Sequence, residues 1–294
     1  MDVEKNREFL VVKKNELIQK TRFSLTLTEN RIVYYLISQI KPDDTEFKEC
    51  RFSIRDFCRL CGINSRSGGN YELVKESLLS LKGRTFEIET DNKWQPVGWI
   101  GNAYIEKNTG MVGVTLDPQL VPYLTGLSRD YTQLQLAPIL VMKSHYSSRL
   151  YELLYSYLYK NLMIKEFDLE SLRERLGCNH YTRFNDFKKR VLEVAEKEIN
   201  LYSAINISWE PYKEGRAVKG IKFTIRKKNK EEEFNAYRFT NETLDSDQIP
   251  GQQSLEFSND DIIDAPDSSR IYIGEDESSE EKNPYEEEFV VEEG

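Results

Sequence analysis

The sequence predicts an α+β chain made of two copies of one unit, three helices closed by a β-hairpin, ahead of a disordered acidic tail. Three observations carry this: an apolar pattern ending in glycine that recurs at a fixed offset, alternating strand-like sequence after each copy, and an uneven charge distribution. The 294 residues carry a formal charge of −9. Residues 1–130 hold 19 Lys and Arg against 18 Asp and Glu, residues 131–230 hold 19 against 11, and residues 231–294 hold 3 against 21. The corresponding net charges of +1, +8 and −18 set the expected boundaries: an N-terminal domain over 1–130, a C-terminal domain over 131–230, and a tail over 231–294.

The first helix of the first unit starts at Thr26 and Glu29, spaced as a capping box, and presents Ile32, Tyr35, Leu36 and Ile40 on one face. Its counterpart follows Arg149, with Tyr151, Leu154, Tyr155 and Leu158. The second helix shows the repeat best. FSIRDFCRLCGI at 52–63 matches FDLESLRERLGC at 167–178, pairing Phe52 with Phe167, Ile54 with Leu169, Phe57 with Leu172 and Gly62 with Gly177 at an offset of 115. A helix-turn-helix needs a tight turn, and glycine enters the left-handed region there without steric cost. The third helices carry Tyr71, Val74, Leu78 and Leu81, matched by Phe184, Phe187, Val191 and Val194 at an offset of 113. Alternating runs then read as strands: Phe86 and Ile88, residues 97–105 and 111–116 around the turn 106–110, and later Ile205, Ile207 and Trp209 answered by Ile221, Phe223 and Ile225. Three helices closed by a hairpin, twice over, outline two winged-helix domains in tandem. Beyond about residue 230 periodicity gives way to Asp, Glu, Ser, Asn and Gln, a composition too poor in apolar surface to offset ordering entropy. That tail is either a solubilising appendage or a segment that folds onto a partner or the basic body, with residues 271–273 and 289–291 as apolar anchors.

In a helix-turn-helix the third helix offers its outer face to the major groove. In the second unit the reading segment is NHYTRFNDFKKR, residues 179–190. With Phe184, Phe187 and Val191 turned inward, Asn179, His180, Thr182, Arg183, Asn185, Lys188 and Lys189 face out. Arg suits guanine and Asn suits adenine, whereas Lys188 and Lys189 suit phosphates. The hairpin tip YKEGRAVKG places Lys213, Arg216 and Lys219 around Gly215, and the closing strand ends in Arg226, Lys227 and Lys228. Solvation of an ordinary surface is the bland alternative; helix and wing being basic together favours DNA contact. The equivalent segment of the first unit, NSRSGGNYELVKE, is two residues longer and includes Gly68 and Gly69. Arg66, Asn70 and Lys75 are its candidate contacts, and base reading, weak DNA contact and a protein–protein role all stay open there.

LTLTENRIVYYLISQI (25–40), SHYSSRLYELLYSYL (144–158) and above all FKKRVLEVAEKEINLYSAINISWEPYKEGRAVKGIKFTI (187–225) resemble the replication initiators of theta-replicating, iteron-containing plasmids. The resemblance covers roughly residues 10–228 and leaves the tail outside. It implies two winged-helix domains, of which the second binds the repeated origin sites strongly while the first binds weakly or forms a homodimer. It further implies that monomers help open the origin, that dimers repress the initiator's own promoter, and that a host helicase or initiator is a partner. Carried over by residue, it supports 179–189 as the main recognition helix and 213–219 as the wing; the loop with Gly68 and Gly69 has no match in the pattern.

Catalytic classes find little support. There is no GxxxxGK[ST] segment, and the two histidines, His145 and His180, lie far apart in sequence, unlike the paired metal-binding histidines of a nicking initiator. A recombinase-like use of His145 and Arg149 would rest on a helix that looks structural. Cys58 and Cys61 form a CxxC with no second pair, which fits core packing better than zinc. The four cysteines are too irregular for a disulfide framework, the N-terminus has no apolar h-region, and the longest apolar stretch, 136–142, includes Pro138. The expectation is a cytoplasmic, non-enzymatic, sequence-specific binder of double-stranded origin DNA without metal, cofactor or membrane contact. A tandem winged-helix transcription regulator with no replication role is the alternative.

Overall fold

The structure, a computed structural model, describes residues 3–41, 43–64, 68–90 and 93–246. A short N-terminal helix α1 (Val3–Arg7), strand β1 (Leu10–Lys14) and α2 (Asn15–Lys20) lead into the first unit, α3 (Leu27–Ser38), α4 (Ile54–Leu60) and α5 (Asn70–Gly83). Thr26 caps α3: its Oγ1 accepts the Glu29 N–H at 3.3 Å while Glu29 Oε2 accepts the Thr26 N–H at 2.7 Å. The buried Glu29 carboxylate is compensated by Arg84, whose Nε donates to Oε1 at 3.3 Å and whose Nη1 donates to the Ser24 carbonyl at 3.0 Å.

The sheet of this unit has the order β2-β6-β5, from β2 (Cys50–Ser53), β6 (Met111–Leu116) and β5 (Ile100–Glu106), and a separate hairpin pairs β3 (Thr85–Thr90) with β4 (Lys93–Gly98). The segment 97–105, expected as one strand, divides at Trp99. Gly98 N–H donates to Asp117 Oδ2 at 3.1 Å, and the Trp99 ring is buried 4.7 Å from Phe23 and 4.8 Å from Phe86, so the chain leaves one sheet for the other.

A 3₁₀ turn at Pro118–Leu120, α6 (Val121–Leu124), β7 (Tyr131–Gln135) and α7 (Leu136–Val141) connect to the second unit, α8 (His145–Tyr155), β8 (Leu162–Asp168) and α9 (Leu169–Arg175). Then α10 (Phe184–Phe187) runs through a π turn at Lys188–Leu192 into α11 (Glu193–Tyr202), followed by β9 (Ile205–Glu214) and β10 (Ala217–Lys227). Its sheet order is β8-β10-β9. In both units the strand before the second helix pairs with the last strand of the hairpin, so the repeat extends to topology. It extends to detail too: in each wing a tyrosine lies over a cross-strand glycine, Tyr104 over Gly113 and Tyr212 over Gly220.

Gly62 and Gly177 end α4 and α9 with φ of +67° and +66°. Gly62 N–H bonds Arg59 O at 3.2 Å and Ile63 N–H bonds Cys58 O at 2.8 Å; Gly177 to Glu174 (3.0 Å) and Cys178 to Arg173 (2.9 Å) repeat the pattern. Both are Schellman ends, as the two glycines predict. Cys58 and Cys61 sit in the core, where burial pushes their thiols up to about 11 and about 12.

The units meet along a buried seam. β1 pairs antiparallel with β7, Leu10 opposite Gln135 and Lys14 opposite Tyr131, so the expected boundary at 130/131 shifts: residues 131–135 complete a sheet with the N-terminal strand. Charge arithmetic is blind to strand pairing across such a distance. Beside this sheet Arg149 Nη2 donates to the carbonyls of Ile18 (2.8 Å) and Thr21 (2.9 Å), and Nη1 to Glu152 Oε2 (2.8 Å). Lys13 Nζ lies 2.7 Å from Glu152 Oε1 and 4.2 Å from the centre of the Tyr34 ring. Burial pushes the Lys13 ammonium down against the pull of Glu152; it pushes the Glu152 carboxyl up, but Lys13 and Arg149 hold it below its ordinary value. Arg149 is therefore a structural cation.

The first part of the tail expected from residue 231 is helical instead. Lys230–Ser246 form a helix, α12, opened by an Asn229–Glu232 capping box (Glu232 N–H to Asn229 Oδ1 2.9 Å, Asn229 N–H to Glu232 Oε2 2.8 Å). Its buried stripe is Ala236, Thr240 and Leu244, sparse enough to escape a reading that looks for large apolar residues. α12 packs on α7 and α11, stacks Phe239 on Tyr202 (5.8 Å), and ends with Leu244 against Gly62 and Asp245 paired to Arg7 at 2.9 Å. The rest of the predicted tail, 247–294, lies outside the described residues.

Candidate nucleic-acid interface

The candidate reading surface of the second unit grows from the turn at Gly177. The chain does not re-enter helix at once: Tyr181 N–H bonds Cys178 O and Thr182 N–H bonds His180 O, at 3.1 and 3.0 Å, and Arg183 stands at the N-cap in extended conformation. The expected recognition helix over 179–189 is thus corrected. Asn179, His180 and Thr182 occupy the turn, all exposed; the helix starts at Phe184 because Tyr181 is drawn toward the core beside Tyr146, which consumes the turn before helical spacing can begin. Arg183 and Asn185 are exposed at the helix entry, and Lys188 and Lys189 lie on the π turn. That turn also moves the buried stripe to Phe187, Val191, Ala195 and Ile199, leaving Val194 half-buried, since one extra residue per turn spaces the face by four.

Arg173, which the sequence reading did not single out, braces this turn. Its Nη2 donates to Thr182 O at 3.4 Å and its guanidinium lies 5.3 Å from the Phe187 ring centre. Nothing in local spacing marks the role, because both partners come from beyond the turn. The two histidines come together here. His145, at the start of α8, is pushed down to about 4 by burial and then by the nearby His180, whose own imidazole is lowered by burial. Among the described residues no three His, Cys, Asp or Glu side chains form a metal-binding group.

α11 ties the reading helix to the wing. Asn200, from the EIN motif, accepts the Ile207 N–H at 2.6 Å and donates to Ile207 O at 2.9 Å. Glu198 accepts the N–H groups of Lys143 and Ser144 at 2.9 and 3.3 Å, fixing the entry to α8. The wing turns at Gly215 (φ +61°), and Lys213, Arg216 and Lys219 are all exposed around it. The cations differ in how they are neutralised. Lys188 pairs with Glu193 at 3.5 Å and Lys219 with Glu214 at 3.1 Å, whereas Arg183, Lys189, Lys213 and Arg216 pair with no carboxylate among the described residues. The basic strand end is a different matter. Arg226 is held bidentately by Glu232 at 2.7 and 2.9 Å, and Lys228 donates to Asn200 O at 2.6 Å with its ammonium pushed down to about 8 by burial. Arg226 thus anchors α12 and Lys228 is fastened to α11, so neither is a freely displayed cation.

The first unit offers less. Arg66 lies outside the described residues, as do Ser65 and Ser67. Asn70 is corrected from exposed contact to buried brace: its Nδ2 donates to Asn64 O at 2.7 Å, tying the start of α5 to the end of the preceding turn at Gly62–Asn64. Lys75 is exposed but paired with Glu72 at 2.9 Å. Glu72, Leu73, Lys75, Glu76, Leu79 and Lys82 are exposed on α5, acids and bases that cancel around two aliphatic side chains, a surface that suits protein better than phosphate.

No helix among the described residues is long and apolar enough to cross a membrane. Residues 10–155 match the family described as initiator replication protein, WH1, and residues 168–225 match initiator Rep protein, WH2. Among solved structures the chain is similar to the Pi initiator protein, determined in complex with iteron DNA, with 19% identity and a TM-score of 0.58 over 76% of this chain and 99% of that one. At that identity the likeness is one of fold.

Proposed function

Because the chain belongs to the replication-initiator family, one of whose winged-helix domains occupies residues 10–155 and the other residues 168–225, we propose that it is a plasmid replication initiator that binds repeated sites in double-stranded origin DNA. The observation that carries the reading is the set of exposed cations without a carboxylate partner among the described residues, Arg183 at the helix entry, Lys189 on the π turn and Lys213 and Arg216 on the wing, all in the second unit. Arg183 and Asn185 read base edges in the major groove, with Asn179, His180 and Thr182 approaching from the turn; Lys189 and the wing hold phosphates. No bond is made or broken by the protein. Binding energy bends the duplex and destabilises an adjacent A·T-rich segment, and the complex then recruits a host helicase or initiator in the cytoplasm.

The exposed aliphatic residues Leu73 and Leu79 on the charge-balanced face of α5 support a protein contact for the first domain, a homodimer whose formation withdraws copies from the origin and represses the gene's own promoter. Footprinting the DNA around the chain's own gene tests the reading. Several direct repeats of about 20 base pairs are expected, from two major-groove segments about one helical turn apart. A single palindrome without repeats would instead make the protein a transcription regulator, and a nicked product with a covalent tyrosine adduct would make it an enzyme.

A further inference from the structure

The acidic C-terminal segment is not used by the function proposed above, and three observations give it a destination. Residues 247–294 hold 16 Asp and Glu against 2 Lys and Arg. The second domain displays Arg183, Lys189, Lys213 and Arg216 without carboxylate partners among the described residues, although neighbouring Lys188, Lys219 and Lys222 have theirs in Glu193, Glu214 and Glu210. And the segment does not leave from the end of the wing strand. α12, which lies beyond both matched family domains, carries the chain from Lys227 back across α11 and α7 to the first helix-turn-helix, where Leu244 lies 3.3 Å from the position a Cβ on Gly62 would take and Asp245 holds Arg7 at 2.9 Å. The acidic segment therefore starts beside the first helix-turn-helix, from which its length has to carry it to the second domain.

We propose that residues 247–294 are an intramolecular competitor for the DNA surface of the second domain, their carboxylates occupying the sites of Arg183, Lys189, Lys213 and Arg216 that phosphates would otherwise take. Reach is no obstacle. At about 3.3–3.6 Å per residue the 48 residues extend roughly 160 Å, while a 246-residue body has a radius of gyration of about 18 Å. A tethered segment acts at about millimolar effective concentration. With an affinity of about 0.1 mM for the basic face it lowers DNA affinity about tenfold, and salt weakens the tail's contacts together with the DNA's. A competitor for the shared phosphate sites raises the apparent dissociation constants of specific and random DNA by the same factor, so the ratio between them is unchanged while weak binding to random DNA falls away first at a given concentration.

The inference rests on the DNA-binding reading, and the experiment separates the two. The intact chain is compared with one of equal length whose residues 247–294 are replaced by a Gly-Ser sequence. Duplex binding is measured at low salt by fluorescence anisotropy, and acetylation of Lys189 and Lys213 in DNA-free protein by mass spectrometry. The replaced chain is expected to bind duplex about tenfold tighter, with both lysines labelled several-fold faster. Equal affinity with equal labelling overturns the proposal and leaves DNA binding standing. Tighter binding with unchanged labelling also overturns it, in favour of long-range repulsion by a tail that occupies nothing. If neither chain binds any duplex, the DNA reading itself fails, and the labelling alone decides whether the tail covers the basic face.

Discussion

Replacing Gly177 with alanine isolates the seam between the two units. Gly177 has φ +66°, a region that costs an L-residue about 1–2 kcal/mol. An added Cβ would lie 2.7 Å from Ser24 Cβ, 2.8 Å from Phe23 O and 2.9 Å from Ser24 Cα. Two of those three atoms are backbone and cannot rotate away, so relief requires the units to separate, an overpacking cost of about 1–3 kcal/mol. The expected loss for Gly177→Ala is therefore about 2–5 kcal/mol. Gly215 supplies the control, since its φ is +61° but nothing lies within 4 Å of its Cβ position. Gly215→Ala should lose about 1–2 kcal/mol, the conformational part alone. Thermal unfolding followed by circular dichroism reads the difference, at about 2–4 °C per kcal/mol for a body of this size. Limited proteolysis in the region 156–161 should accelerate for Gly177→Ala only. Equal destabilisation of the two variants, with equal proteolysis, would refute the claim that Gly177 is a contact surface as well as a turn.

Arg183→Ala should weaken binding to the origin repeat relative to random duplex by about 1–3 kcal/mol, whereas Lys189→Ala should weaken both alike and lower the salt dependence by about one unit; equal loss on both DNAs from Arg183→Ala removes it from base reading. Glu152→Gln leaves Lys13 and Arg149 without their carboxylate in the buried seam and should cost about 3–5 kcal/mol in denaturant titrations, and a loss below about 1 kcal/mol contradicts the role given to that cluster. His145 provides a pH signature. The unfolded chain takes up a proton near 6.5 and the folded one only near 4, so this contribution to stability is complete above pH 6.5 and falls as pH drops toward 4. The slope is at most about 1.4 kcal/mol per pH unit. His145→Asn should flatten that slope, and an unchanged profile would assign the acid sensitivity elsewhere.

What the sequence made legible was whatever is specified within a few residues. The Thr26–Glu29 box, the two Schellman glycines and the inward-facing Phe187 and Val191 are all local, and each stands where its spacing placed it. The misses share a cause of the opposite kind. Arg149, Glu152 and Lys13 form one cluster although Lys13 is remote in sequence, and strand β1 finds its partner only at β7. Asn70 looked like an exposed polar residue because its partner, the Asn64 carbonyl, belongs to a loop conformation that composition does not specify. The start of the recognition helix was placed too early because Tyr181 reads equally well as an exposed residue of a polar turn or as an apolar anchor. α12 was missed for a different reason. Its capping box at Asn229 and Glu232 is local, but it stands at the head of a strongly acidic stretch, and a stripe as thin as Ala236, Thr240 and Leu244 becomes visible only once α7 and α11 are there to receive it.

The pairing of Leu10 with Gln135 has a consequence for how the molecule is made. During synthesis the first strand must wait until more than a hundred later residues have left the ribosome before its ladder can form. The first helix-turn-helix and both hairpins behind it rely on nearer contacts and are free to fold in the interval. β1 then closes as a latch, the second unit folds against it, and α12 settles last, across residues completed long before. Until the latch closes, Val11, buried in the finished protein, has no sheet to enter, and the strand's N–H and C=O groups are open to any extended segment nearby. On a crowded polysome that nearby segment is the same strand of the next copy.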